Sequence, residues 1–186
     1  MAVLKQILAF FICIFQILTP VGTLVVNLGE DNFFSEWSAS DEFTTDYCAE
    51  VEKNPGEDFV ILNLADVQMK DDLLYEEEGI KTEAMIDKLI TETDPDLITL
   101  TGDNAWGMIA YIKLIHQIDS YGIPWAPVMG NHDGQCCINE FWAAYLLYDA
   151  KNCLFEFGPK DMGYGNYIIN ITENGKIIHT LFMMDT

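Results

Sequence analysis

The chain has 186 residues, 50% of them hydrophobic, which suits a single folded domain with a substantial core and excludes a disordered polymer. Its 30 acidic residues outnumber 9 basic ones, all lysine, so the formal net charge is -21. Such a surface repels phosphate backbones, so no nucleic-acid-binding surface is expected. Without arginine, a phosphate site must take its positive charge from a metal ion, a lysine, a histidine or backbone N–H groups.

Residues 1–22 combine an early lysine, Lys5, with an apolar stretch over 7–18, and Pro20 and Gly22 follow. This pattern is typical of a secretory signal peptide. Because residues 23–28 extend the apolar character toward bilayer-spanning length, a membrane anchor is the main alternative, and a buried helix is the third. A signal or an anchor predicts a secreted or membrane-anchored, extracytoplasmic protein. Residues 23–57 are acidic and rich in turn formers, and they predict an irregular extension.

From residue 58 onward, strand and helix patterns alternate. Continuous apolar runs predict three strands, at 59–65, 97–101 and 125–129. Apolar residues at helical spacing predict helices at 79–93 and 106–121, and a third is expected at about 139–148. Two late strands are predicted at 167–171 and 177–184. The order predicts an α/β domain over residues 58–186 that begins with a parallel sheet.

Two features of this pattern are a proline within a predicted strand and paired apolar residues within a predicted helix. Pro127 lies inside the third predicted strand, where proline cannot donate to a sheet ladder. In the first helix, Met85 with Leu89, and Ile86 with Ile90, form i,i+4 pairs on the face expected to pack on the sheet.

Four cysteines follow the N-terminal apolar run without any CxxC pair, which argues against a zinc ribbon. Adjacent cysteines such as Cys136 and Cys137 rarely bond to each other. A disulfide from one of them to Cys48 or Cys153 in an exported protein, and free or buried thiols, are the two alternatives.

Polar side chains follow each of the first three predicted strands. They are Asp66 and Gln68, then Gly102-Asp103-Asn104, then Gly130-Asn131-His132-Asp133. Alone, each cluster is more typical of a turn or helix cap. Ligands bind at the carboxyl ends of strands in an open parallel sheet, so the three clusters are expected to converge. Carboxylate, amide and imidazole groups are ligands of divalent metals, and the sequence therefore predicts a metal site.

These three clusters, in this order, resemble the calcineurin-like metallophosphoesterases, in the branch of purple-acid-phosphatase-like and Dcr2-type phosphoesterases. The resemblance implies an αββα sandwich, of which residues 58–186 form the N-terminal half. It also implies two divalent metal ions, drawn from Mn, Zn, Fe or Mg. Asp66 and Gln68 would bind the first ion, Asp103 would bridge both, and Asn131 would bind the second.

The same resemblance implies direct hydrolysis of a phosphate mono- or diester, such as a phosphorylated small molecule, with no covalent enzyme intermediate. His132 would contact the phosphate and protonate the leaving group.

Three departures from the family pattern qualify this expectation. Gln68 stands where the family has histidine, and its amide oxygen suits harder ions than zinc or iron. Trp106 replaces the tyrosine of purple acid phosphatases, so no purple iron centre is predicted. The family's later histidines and its Gly-His-x-His motif would follow Thr186. We therefore expect a fragment with weak or no turnover alone, or alternatively a non-catalytic exported binding protein with a degenerate phosphoesterase fold.

Overall fold

The structure is a computed structural model that describes residues 48–71, 75–135, 138–159 and 162–185. The predicted signal peptide or anchor and residues 23–47 of the acidic extension lie outside the described residues, as do Cys136 and Cys137. Cys48 and Cys153 are free thiols.

The described residues form six strands and three helices in an order that confirms the predicted α/β class. They are β1 (Cys48–Glu52), β2 (Ile61–Leu64), α1 (Glu76–Thr93), β3 (Leu97–Thr101), α2 (Met108–Asp119), β4 (Trp125–Val128), α3 (Glu140–Tyr148), β5 (Tyr167–Glu173) and β6 (Lys176–Met183). The largest shift from prediction within the domain is the earlier start of α1. Asn139 caps α3, because its side chain accepts a hydrogen bond from the Trp142 backbone N–H.

The first sheet is parallel, with the strand order β2-β3-β4, as the alternation of strands and helices predicted. α1 and α2 form the two crossovers. In α1, Ile86 and Ile90 are buried as expected, whereas Met85 is 57% exposed. The buried face of α1 is therefore narrower than predicted, because it includes Ile86 and Ile90 but not Met85.

Pro127 fits β4 because of the side toward which its backbone points. The Trp125 N–H donates to the Asn152 carbonyl, and the Trp125 carbonyl accepts from the Leu154 N–H. Alternate residues of a strand point the same way, so the Pro127 nitrogen also faces away from β3. Its carbonyl accepts a 2.6 Å hydrogen bond from the Tyr167 hydroxyl. The missing N–H therefore costs no ladder bond, and β4 is tied to β5.

The second sheet corrects the prediction of an irregular extension over residues 23–57. Within that range, Cys48–Glu52 is a strand that pairs in parallel with β5, and β5 pairs antiparallel with β6. The partner strand lies more than a hundred residues away, so the local acidic, turn-rich pattern could not reveal it. Lys53 strengthens this junction, since its Nζ lies 2.5 Å from Glu173 Oε1 and lowers the pKa of that carboxyl.

One hydrophobic core joins both sheets and all three helices; it includes Leu100, Leu114, Trp125, Leu147 and Ile169, each fully buried. β6 is at the edge of its sheet and contributes little to this core. Ile177 and Phe182 are 58% and 67% exposed, whereas Met183 is buried. No helix among the described residues is long and apolar enough to cross a membrane.

Candidate active site

Three loops at the carboxyl end of the first sheet contain the predicted site residues. Backbone pairing between the β2 and β3 loops continues beyond the strands. The Asp66 N–H donates to the Gly102 carbonyl at 3.2 Å, and the Gln68 N–H donates to the Asp103 carbonyl at 2.8 Å. Met69 continues the pairing to Asn104. The two loops therefore run side by side instead of diverging after the strands.

Three of the predicted residues have left-handed backbone conformations: Asp66 at φ 50°, Gln68 at φ 43° and Asp103 at φ 53°. This conformation costs a non-glycine residue roughly 1–2 kcal/mol. Aspartate tolerates it better than glutamine does. Such strain persists only where the surrounding contacts enforce it, and it concentrates at functional sites.

The β4 loop approaches the β3 loop closely at two glycines. A Cβ atom on Gly130 would overlap the backbone nitrogen and Oδ1 of Asp103, and a Cβ atom on Gly102 would lie 3.0 Å from the Gly130 Cα. The His132 N–H then donates to Asp103 Oδ1 at 2.9 Å. Asp103 therefore contacts both neighbouring loops.

The predicted ligand residues differ in exposure. Asp103 is 8% exposed, Gln68 is half-buried, and Asp66 and Asn131 are exposed. The side chains of Asp66, Gln68 and Asn131 make no hydrogen bond or ion pair with any described residue. Among the described residues, the Asp103 carboxylate accepts one hydrogen bond, from the His132 N–H to Oδ1. The side-chain oxygen atoms of Asp66, Gln68 and Asn131, and Oδ2 of Asp103, are therefore available to a ligand.

His132 is oriented by a residue that the sequence interpretation missed. The Gln135 Nε2 donates to the Asn131 carbonyl at 3.1 Å, so its Oε1 faces the imidazole. His132 Nδ1 lies 3.0 Å from that oxygen and is assigned as the donor. Nε2 is then the nitrogen available to a substrate. The three-residue spacing within a turn was the signal for Gln135.

Asp133, which the sequence interpretation left without a role, joins the β3 and β4 loops. It is fully buried and accepts hydrogen bonds from the backbone N–H groups of Gly130, Asn104 and Ala105 and from the Asn104 side chain. Burial raises the pKa of Asp133, and the hydrogen bonds from the backbone N–H groups of Gly130, Ala105 and Asn104 oppose the rise. Burial also raises the pKa of the neighbouring Tyr111 well above its usual value, and the Asp133 charge adds to that effect.

The family model for calcineurin-like phosphoesterases matches residues 59–180, which include all three loops. The chain belongs to the calcineurin-like phosphoesterase family. The two small sheets and three helices correspond to a partial calcineurin-like fold.

The matches to curated relatives cover about half of this chain and about a quarter of each relative's length. The chain is 28% identical over 121 residues to "Phosphatase DCR2" of Saccharomyces cerevisiae, which covers 57% of this chain and 21% of that protein. It is 36% identical over 110 residues to "Probable inactive purple acid phosphatase 28" of Arabidopsis thaliana, with 50% and 28% covered. It is 27% identical over 105 residues to "Probable inactive purple acid phosphatase 14" of the same plant, with 50% and 26% covered. No solved structure matches significantly.

This member of the calcineurin-like phosphoesterase family offers mainly oxygen donors at the candidate site. Within the described residues, no three histidine, cysteine, aspartate or glutamate side chains lie close enough to hold a metal ion by themselves. The two carboxylates, Asp66 and Asp103, are supplemented by the amides of Gln68 and Asn131. That chemistry fits hard divalent ions such as Mg²⁺ and Mn²⁺, which take carboxylate and amide oxygens readily.

Proposed function

We propose that this protein is a metal-dependent phosphoesterase that hydrolyses phosphate mono- or diesters. The observation that supports this proposal most strongly is the bonding of three strand-end loops into one unit around Asp103. Gln68 donates to the Asp103 carbonyl, and His132 donates to its carboxylate. An imidazole, carboxylates and amide side chains thereby share one edge of the sheet, where α/β proteins bind ligands, and this supports the proposal.

Two divalent ions, when bound, would neutralise the phosphate charge and lower the pKa of the attacking water. Asp66 and Gln68 would supply oxygen ligands from the first loop, and Asn131 would supply one from the third. Asp103 would lie between the two positions. Its Oδ1 already accepts the His132 N–H, so Oδ2 is the oxygen left for a ligand.

His132 would act on the substrate directly. The hydrogen bond from Nδ1 to Gln135 restrains the ring and leaves Nε2 as the nitrogen available to a substrate. In the protonated imidazole, Nε2–H can donate to a phosphate oxygen and then pass its proton to the leaving-group oxygen. The ester bond between phosphorus and that oxygen breaks while water adds to phosphorus.

The test is hydrolysis of 4-nitrophenyl phosphate by the full-length protein with manganese. We expect metal-dependent turnover and a fall in kcat of roughly a hundredfold or more in Asp103→Asn. Asparagine retains an oxygen acceptor for the His132 N–H, so the loop is expected to keep its shape. Absence of turnover in the wild type, or full activity of Asp103→Asn, would contradict the proposal.

The second candidate is an exported binding protein that has this fold without catalysis. Gln68 supports it, since an amide replaces the imidazole expected there, and two of the relatives above carry "inactive" in their names. Isothermal calorimetry with manganese separates the candidates: two tight sites favour the enzyme, and none favours the binding protein. Export itself is proposed from the apolar pattern of residues 1–22, and signal cleavage during secretion tests it.

A further inference from the structure

Lys70 lies on aromatic rings beside the candidate site. Its Nζ is 4.2 Å from the centroid of the Trp106 ring and 5.1 Å from that of Tyr75. The backbone fixes this neighbourhood, because the Trp106 N–H donates to the carbonyl of Met69, the residue preceding Lys70, at 2.9 Å. The lysine is therefore brought to the indole by the same pairing that joins the β2 and β3 loops.

Lys70 makes no ion pair with any described residue, although the chain carries 30 acidic residues. Lys53 and Lys113 both contact carboxylates. A cation–π contact at a partly exposed site is worth only about 0.5–1 kcal/mol, so an approaching anion can draw the ammonium away from the ring. Among the described residues, Lys70 is thus a positive charge without a carboxylate partner.

Trp106 contacts both Lys70 and His132, the proposed proton donor. Its ring centroid is 5.7 Å from that of His132, with an angle of 34° between the planes. Trp106 is also only partly buried. A group that occupies the space over the indole therefore lies next to the imidazole that would protonate the leaving group.

We propose that Lys70 and Trp106 form a specificity subsite for the leaving group of an aryl phosphate that carries a second anionic group. This inference rests on the proposed function, because it assigns the leaving-group side of that same site. Lys70 pairs with the second anion, and its departure uncovers the indole face for the aromatic ring. The metal ligands and His132 act on the phosphate itself, so the subsite changes preference among substrates without supplying a step of hydrolysis.

Four substrates separate the ring from the charge. Glycerol 3-phosphate has neither, phenyl phosphate has only the ring, 3-phosphoglycerate has only the second anion, and 4-carboxyphenyl phosphate has both. The full-length protein with manganese is compared with Lys70→Gln, Trp106→Leu and the control Lys88→Gln. Lys88 lies on the exposed surface of α1 and pairs with Glu92.

We expect wild type to have its highest kcat/KM on 4-carboxyphenyl phosphate. Substrates with the carboxylate should have a kcat/KM about fivefold to tenfold higher than those without it, and Lys70→Gln is expected to remove this difference. Trp106→Leu is expected to remove a similar difference between substrates with and without the ring. Lys88→Gln should match wild type on all four. Equal losses on all four substrates in Lys70→Gln, or no change in either variant, would overturn the subsite while leaving the proposed function intact.

If wild type hydrolyses none of the four, binding tests the subsite separately from the proposed function, which the hydrolysis of 4-nitrophenyl phosphate tests. The indole N–H signal of Trp106, assigned in an NMR spectrum by its loss in Trp106→Phe, is followed during addition of 4-carboxyphenyl phosphate. The subsite is supported by a saturable shift whose apparent Kd rises at least about fivefold in Lys70→Gln. An unmoved signal, or the same shift with glycerol 3-phosphate, overturns it.

Discussion

The two ends of β4 use the same chemistry for different purposes. At the amino end, Asp119 accepts hydrogen bonds from the indole of Trp125 and from the backbone N–H groups of Lys151 and Asn152. At the carboxyl end, Asp133 accepts bonds from backbone N–H groups of two loops. A carboxylate that collects N–H donors is therefore a common device for joining loops, and by itself it does not mark a site.

Burial, space and available side chains distinguish the carboxyl end. Asp133 is fully buried, whereas Asp119 is half-buried. Gly130 has no room for a Cβ atom, whereas Gly122 at the amino end faces open space. The loops at the carboxyl end also present polar side chains that no described residue satisfies. This combination, more than any one feature, supports a functional site there.

Removing the two carboxylates should give the largest difference between the ends. We expect Asp133→Ala to lower the free energy of unfolding by about 4 kcal/mol, because several buried donors lose their acceptor. Asp119→Ala should cost about 1–2 kcal/mol, since water can reach part of that cluster. Urea denaturation of both variants measures the difference.

Manganese affinity provides the second readout for this pair. It should fall in Asp133→Ala at concentrations of urea where the variant is still folded, and it should be unchanged in Asp119→Ala. Equal destabilisation with equal manganese affinity would show that Asp133 is no more connected to the site than Asp119.

Adding one methyl group to each glycine should give the next largest difference. Gly130→Ala places its Cβ against the Asp103 backbone, and we expect a loss of about 2–3 kcal/mol as the loops separate. Gly122→Ala has open space but a φ of 69°, so we expect about 1 kcal/mol from conformation alone. Thermal unfolding followed by circular dichroism compares them. Similar melting temperatures would mean that the loops can move apart at little cost.

The sequence predicts at which edge of the sheet the site lies better than it predicts the hydrogen bonds among the site residues. Asp66, Asp103 and Asn131 were identifiable because each follows an apolar run, and the topology of a parallel sheet brings such positions together. Gln135 was missed although its contacts to Asn131 and His132 are local. Asp133 was not assigned a role, because its role depends on hydrogen bonds from the β3 loop. β1 was missed for a related reason: Cys48–Glu52 becomes a strand only through pairing with the distant β5. Local patterns carry no information about such partners.

The smallest effect concerns backbone strain, again with one residue at each end of the sheet. Gln68 and Asp94 have nearly equal left-handed conformations, at φ 43° and φ 42°, and Asp94 ends α1 before β3 begins. Glycine removes the strain at either position but adds freedom to the unfolded chain. We expect Gln68→Gly to stabilise the protein by about 1 kcal/mol and Asp94→Gly by less, since aspartate tolerates this conformation better.

Only Gln68→Gly should weaken manganese binding, because the amide oxygen is lost with the strain. Denaturation and calorimetry on the same two samples measure both quantities. A gain in stability accompanied by a loss of affinity would mean that the fold holds Gln68 in an unfavourable conformation because the site needs its side chain. If Gln68→Gly is no more stable than wild type and binds manganese equally well, the left-handed backbone at residue 68 reflects only the path of the loop, and Asp66 and Asp103 would be the ligands to retain in the proposal.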